Sequence, residues 1–138
     1  MGFIRARTDE QKEVRYAEII AAAKRLFDGM GYDEITLASI AKEAEFTRSN
    51  LYKYYKTKDE IFLEIIIGYM AAWREDLQQS FQGKEFSINE FAHIMARSYR
   101  EHEKLLDSLT VLFVFIEKNV SLENLTEFKR GLKQEMEA

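Results

Sequence analysis

Cysteine is absent from this sequence, and its absence removes disulfides, thiolate metal sites and cysteine nucleophiles together. Proline is absent too, and glycine occurs only six times, so long helices can run without their commonest breakers. A membrane-spanning run is missing: the apolar stretch at 109–116 is far shorter than the roughly 20 residues a bilayer needs. The start, Met1-Gly-Phe-Ile-Arg-Ala-Arg7, lacks the apolar core of a secretory signal. A soluble, cytoplasmic chain in a reducing compartment is the expectation.

An excess of positive charge is also lacking, since the net charge is −4. Its distribution matters more. Residues 1–58 carry eleven Lys and Arg against nine Asp and Glu, whereas residues 59–138 carry nine against fifteen. Within 46–58 stand Arg48, Lys53, Lys56 and Lys58 with no acid among them. Screening confines each charge's influence to roughly 10 Å at physiological salt, so a local basic patch on an acidic protein still docks on phosphate.

What is present is helix-forming material. A chain of 138 residues holds one ordinary core, or a small N-terminal module fused to a helical body. Thr8-Asp-Glu-Gln11 reads as a capping box opening a helix over 8–30, with Tyr16, Ile19, Ile20, Ala23, Leu26, Phe27 and Met30 on one face and Gly31 as a left-handed terminator. Thr36 caps a short helix at 37–44, and Thr47 caps another at 48–55. Thr57-Lys-Asp-Glu60 opens a long helix over 58–82 whose first half is apolar on several sides, so it is expected to pack both on the first helix and on the C-terminal body. After a loop at 82–87, Ser87-Ile-Asn-Glu90 starts a helix with Phe91, Ile94, Met95, Ser98 and Tyr99 on one face. An apolar helix at 105–116 follows, then a last one capped by Ser121 with Leu122, Leu125, Phe128, Leu132 and Met136 as its stripe. The fold class is all-α.

Two short helices separated only by Glu45, Phe46 and Thr47 are the pattern of a helix-turn-helix at 36–55. The positions that must be apolar for them to cross, Ile40, Ala44, Phe46, Leu51 and Tyr54, all are, and Ala41 is small where they approach most closely. Glu45 occupies the turn position that favours glycine, where a positive φ costs another residue roughly 1–2 kcal/mol. With Leu51, Tyr54 and Tyr55 turned inward, Arg48, Ser49, Tyr52, Lys53 and Lys56 share the outer face. Those residues alone fit an ordinary solvated helix surface equally well. Helix ends decide: Arg48 and Lys58 lie in first turns, where the macrodipole disfavours cations but a cation beside free N–H groups binds an anion. With the N-cap of Thr36, that makes three anchors for backbone phosphate.

Three stretches carry a resemblance: Arg15-Tyr-Ala-Glu-Ile-Ile-Ala-Ala-Ala-Lys-Arg-Leu-Phe27, Gly31-Tyr-Asp-Glu-Ile-Thr-Leu-Ala-Ser-Ile-Ala41 and Phe46-Thr-Arg-Ser-Asn-Leu-Tyr-Lys-Tyr-Tyr-Lys-Thr-Lys-Asp-Glu-Ile-Phe62. Together they resemble the DNA-binding domain of the TetR family of bacterial transcriptional regulators. The resemblance implies a three-helix DNA-binding domain at 12–72, followed at 73–138 by part of a helical ligand-binding and dimerisation domain, the chain looking truncated against the family's usual length. By the same resemblance Thr36, Tyr52 and Lys58 hold phosphates, while Thr47, Arg48, Ser49, Asn50 and Lys53 face the major groove. The implied protein is a homodimeric repressor on a palindromic double-stranded operator, released by an unidentified small-molecule inducer. Glu45 and Ser49 depart from the family's usual residues, the first bearing on stability and the second on operator choice.

The remaining residues say less. Phe81, Phe91, Tyr99, Phe113, Phe115 and Trp73 are candidates for an apolar pocket, although aromatics at helical spacing are more often core. His93, expected at the edge of the core, and His102 have no acidic pair at metal-ligand spacing in the sequence. No Ser-His-Asp order or glycine-rich phosphate loop can be assembled, so neither catalysis, a metal nor a cofactor is expected. A helical interaction module working through its apolar surface is the alternative from another class.

Overall fold

Local capping starts most of the helices. The computed structural model describes residues 8–116 and 122–137, and no β-strand occurs among them. In α1 (Asp9–Phe27), the Thr8 hydroxyl accepts from the Gln11 N–H at 3.2 Å while the Gln11 side chain accepts from the Thr8 N–H at 3.4 Å. Acids in the first turn, Asp9 and Glu10, and bases in the last, Lys24 and Arg25, match the helix dipole. Two compact units follow along the chain, Met1–Phe62 and Leu63–Ala138.

In the first unit α1 ends at Phe27, earlier than the pattern to Met30 predicts. The Gly29 and Met30 N–H groups both turn back to the Leu26 carbonyl, which closes the helix. Gly31 is not a left-handed terminator: its φ of −67° and ψ of 150° are extended, and it leads into a 3₁₀ turn at Tyr32–Glu34. A Cβ there would stand 2.8 Å from the Asp33 Oδ1, the tip of an exposed side chain that can swing aside, so neither the backbone angle nor the packing demands glycine. Thr36 and Ser39 exchange side-chain and backbone hydrogen bonds to start α2 (Leu37–Glu43), and the Thr47 hydroxyl accepts from the Asn50 N–H at 3.1 Å to start α3 (Arg48–Tyr54).

The core of this unit gathers Ile19, Ala22 and Ala23 from α1, Ile40 and Ala41 from α2, and Leu51 from α3. Full burial of a side chain such as Ile40 or Leu51 contributes roughly 1.5–3 kcal/mol. Tyr16 meets Tyr54 and Tyr55 edge-on at 4.9 and 5.5 Å, tying α1 to α3. Phe62, wholly buried, meets Phe27 at 5.3 Å and Tyr32 at 4.8 Å.

Helix α4 (Lys58–Phe81) runs uninterrupted across the division at Phe62. Glu60 completes only half of the expected capping box, since its N–H reaches the Thr57 hydroxyl at 3.3 Å but its carboxylate accepts from the Lys56 N–H at 3.1 Å. Ile61, Phe62, Leu63, Ile65 and Ile66 are all buried, as an all-round apolar segment requires.

The second unit continues with α5 (Ile88–Glu101), α6 (Glu103–Val111), a π-helical turn at Leu112–Ile116 and α7 (Leu122–Glu137). Gly83, at φ 66°, makes the turn after α4 in the only conformation that asks for glycine there. Ser87 and Glu90 form the expected box. The single apolar helix expected at 105–116 starts earlier, at Glu103, and loosens into the π turn at Leu112. Ser98 is wholly buried on α5 and satisfied by the Trp73 indole N–H at 2.6 Å. In α7, Phe128 is buried but Met136 is 77% exposed, so the stripe does not extend to that end. The Ser121 cap lies outside the described residues.

Candidate functional site

The helix-turn-helix turns on one backbone angle. Glu45 has φ 59°, the only non-glycine residue with positive φ among those described, and the Phe46 N–H closes the turn on the Ala41 carbonyl at 2.8 Å. This swings α3 across α2, with Ile40 and Leu51 fully buried between them. Phe46 is half-buried, and the Arg15 guanidinium lies 5.2 Å from its ring centre. An Arg25–Glu43 ion pair of 2.9 Å spans α1 and α2.

The opposite side of α3 is open. Thr47, Arg48, Ser49, Tyr52, Lys53 and Lys56 are exposed and Asn50 is half-buried; Arg48, Ser49, Asn50, Tyr52 and Lys53 share the short helix α3, with Thr47 as its N-cap and Lys56 two residues past its end. Lys53 approaches the Asn50 side-chain oxygen at 3.4 Å. The Lys56 ammonium donates to the Tyr52 carbonyl at 2.7 Å and stands 4.2 Å over the Tyr52 ring, which holds that ring, 53% exposed, beside a positive charge. Thr36 is exposed at the start of α2, its hydroxyl engaged by the Ser39 N–H.

Lys58 is placed differently. Its ammonium donates to the carbonyls of Tyr32 and Ile35 at 2.6 and 2.9 Å and lies 4.2 Å over the Tyr32 ring. Burial lowers its pKa from the usual lysine range, and the Asp33 carboxylate pulls it back up. The sequence reading missed this use, because its signal is a pair of carbonyls more than twenty residues away. Beside it, Asp59 is buried with its Oδ1 bonded to no group among the described residues, and burial, then Glu60, raises its pKa above the usual carboxylate range.

The second unit contains a largely apolar cavity of about 410 Å3 whose wall includes Met70, Trp73, Tyr99, Leu105, Leu109 and Phe113. Of the aromatics that sequence spacing offered as pocket candidates, Trp73, Tyr99 and Phe113 line it. Phe81 and Phe91 instead stack together at 5.5 Å, with Phe86 against both, and the Phe115 side chain lies outside the described residues. His93 is exposed rather than at the core edge.

His102 finds acidic partners that its sequence spacing hid. Its Nε2 lies 3.2 Å from the Asp76 Oδ2, and Asp76, Glu101 and His102 offer ligand atoms within 4.8 Å of one another. Such a trio could grip a metal ion, but Arg97 already answers both carboxylates, at 3.2 Å to Asp76 and 2.6 Å to Glu101, and also donates to the Ser80 hydroxyl at 2.7 Å. A cation would have to displace the guanidinium. The arrangement is an ion-pair network tying α4, α5 and the junction before α6.

The described residues thus combine, without any strand, a helix-turn-helix whose α3 presents an open basic side with an apolar cavity in the second unit. In comparison with known families, residues 19–65 match the family described as "Bacterial regulatory proteins, tetR family", and residues 69–138 match "Tetracyclin repressor-like, C-terminal domain". The chain belongs to the TetR family, whose members are transcriptional regulators and not enzymes. It is 30% identical over 113 residues to the HTH-type transcriptional regulator QacR of Staphylococcus aureus, covering 80% of this chain and 54% of that protein. It is 37% identical over 59 residues to the uncharacterized HTH-type transcriptional regulator YfiR of Bacillus subtilis, covering 43% of this chain and 29% of that protein. With the fatty acid metabolism regulator protein of Bacillus subtilis it shares 24% identity over 90 residues, covering 65% of this chain and 46% of that protein. The chain therefore spans about half the length, or less, of these relatives. No helix among the described residues is long and apolar enough to cross a membrane.

Proposed function

We propose that this chain is a sequence-specific, double-stranded-DNA-binding transcriptional repressor of the cytoplasm, released from its operator by a small molecule. The observation that carries the reading is the exposed, acid-free side of α3: Arg48, Ser49, Tyr52 and Lys53 stand clear of the protein on a helix whose inner side is buried. Arginine and lysine read guanine edges, and hydroxyl and amide groups add contacts to bases or phosphates. In this proposal residues 12–72 form the DNA-binding domain, with its helix-turn-helix at 36–55, and residues 73–138 belong to the regulatory domain. Thr47, Arg48, Ser49, Asn50 and Lys53 enter the major groove, while Thr36 and Tyr52 meet phosphates. Lys58 has one N–H left after its two carbonyl bonds, and offers that one to phosphate while its other bonds fix the approach to α2.

A homodimer presents two such helices to a palindromic site, with half-sites about 34–36 Å apart. The inducer enters the cavity walled by Met70 and Trp73, both on α4, the helix that begins at Lys58. A shift of α4 on ligand binding thereby moves Lys58 and spoils half-site register. By linkage the operator must weaken the ligand by the same factor, typically 5- to 150-fold.

A mobility shift with genomic fragments at two salt concentrations tests the reading. It supports the proposal if a subset of fragments is retained and affinity drops at the higher salt. Uniform retention of every fragment, or none at all, refutes it.

A further inference from the structure

Helix α3 stops where one more residue would have continued it. Tyr55 leaves the helix in an extended conformation, at φ −137° and ψ 136°, so the Tyr52 carbonyl loses the N–H four residues on that would otherwise bond it. That N–H, from Lys56, goes to the Glu60 carboxylate at 3.1 Å instead. The Lys56 side chain then turns back and supplies the missing donor. Its ammonium reaches the Tyr52 carbonyl at 2.7 Å and comes to rest 4.2 Å over the Tyr52 ring. One cation thus closes the helix end, where the dipole favours it, and pins a tyrosine that is otherwise 53% exposed.

We infer that Lys56 is a positioning residue for DNA binding, which acts by holding Tyr52 in place and not by meeting DNA itself. The inference rests on the reading of Tyr52 as a phosphate contact and adds the residue that orients it. An unheld tyrosine on an open helix face samples several rotamers, and fixing one of them at the moment of binding weakens affinity. With the ring held by the ammonium before DNA arrives, that ordering is already done and the hydroxyl stands ready for phosphate. The lysine is spent on the carbonyl and the ring face, so its removal matters only while the Tyr52 hydroxyl is there to be placed.

Two measurements on the full chain test this. In the free protein, NMR is expected to show the Lys56 ε-methylene protons shifted upfield by the Tyr52 ring, and the shift to vanish in Tyr52→Leu. Affinity for a duplex that the chain selects from a random pool is then measured for the parent, Lys56→Met, Tyr52→Phe and the double variant. Lys56→Met is expected to weaken binding about threefold to fivefold in the parent, the scale of one exposed cation–π contact, and hardly at all in the Tyr52→Phe background. Lys56→Arg, which keeps a cation for the ring and the carbonyl, retains the parent affinity. An equal loss in both backgrounds would mean that Lys56 meets DNA by itself, and no loss in the parent, or no upfield shift, would mean that the ring is not held. Each of these overturns the inference and leaves the phosphate contact of Tyr52 standing. If Tyr52→Phe binds as tightly as the parent, or no duplex is selected at all, that contact fails and the inference with it.

Discussion

Replacing Glu45 with glycine isolates the strain on which the helix-turn-helix turns. Glu45 sits at φ 59°, and a residue with a Cβ loses roughly 1–2 kcal/mol in that conformation. Glycine adopts it freely but gives up about 0.5–1 kcal/mol through the greater freedom of its unfolded chain. Glu45→Gly is therefore expected to stabilise the protein by about 0.5–1 kcal/mol, a rise in Tm of roughly 2–4 °C for a chain of this size. The side chain of Glu45 is exposed, and its backbone N–H keeps its bond to the Lys42 carbonyl, so little else changes. Urea and thermal unfolding followed by circular dichroism measure the effect. Glu45→Ala is the control, because it removes the same charge but keeps the Cβ. The reasoning is refuted if the alanine variant gains as much as the glycine variant, or if glycine destabilises.

Other perturbations follow from the same geometry. Ser87→Ala breaks the capping box of α5 and is expected to cost about 1 kcal/mol in urea unfolding. Lys58→Met removes both carbonyl bonds, so it should lower Tm and weaken binding to every DNA sequence alike, whereas Tyr52→Phe, at an exposed position, should weaken DNA binding with Tm unchanged; equal losses of Tm in the two would contradict the clamp. Asp59 titrates above the ordinary carboxylate range in the folded protein, so between the ordinary value of 3.8 and the raised one the folded state binds more protons. Its contribution to stability then falls as pH rises through that window. Asp59→Asn should be more stable than the parent at neutral pH and show a flatter profile there, which unfolding at a series of pH values checks.

What the sequence made legible were features that close over three or four residues or repeat with the helical period. The Thr8, Thr36, Thr47 and Ser87 caps each act on a backbone N–H three residues on, so identity and spacing suffice to find them. The outer side of α3 was readable for the same reason, once Leu51 was assigned inward. Gly31 misled because glycine is also found at positions with an ordinary extended backbone, and only the observed φ of −67° shows that no left-handed turn forms there. The Asp76–His102 contact joins residues 26 positions apart, and the Lys58 contacts bridge comparable distances, so no local pattern reveals them. Periodicity likewise could not separate Trp73 and Tyr99, which line the cavity, from Phe81 and Phe91, which stack on each other.

The central claim, that α3 reads duplex DNA, is tested most directly by affinity as a function of salt. A palindromic site is selected from random duplexes by the chain itself, and its affinity is then measured by fluorescence anisotropy between 50 and 200 mM salt, beside a scrambled duplex. The account predicts that the selected site wins by orders of magnitude, with a steep linear fall in log affinity against log salt. For Arg48→Met and Lys53→Met, it predicts a relaxed preference at particular base pairs costing roughly 1–3 kcal/mol. Equal affinity for selected and scrambled duplexes, or a selected-site affinity that neither salt nor these substitutions alter, would contradict it.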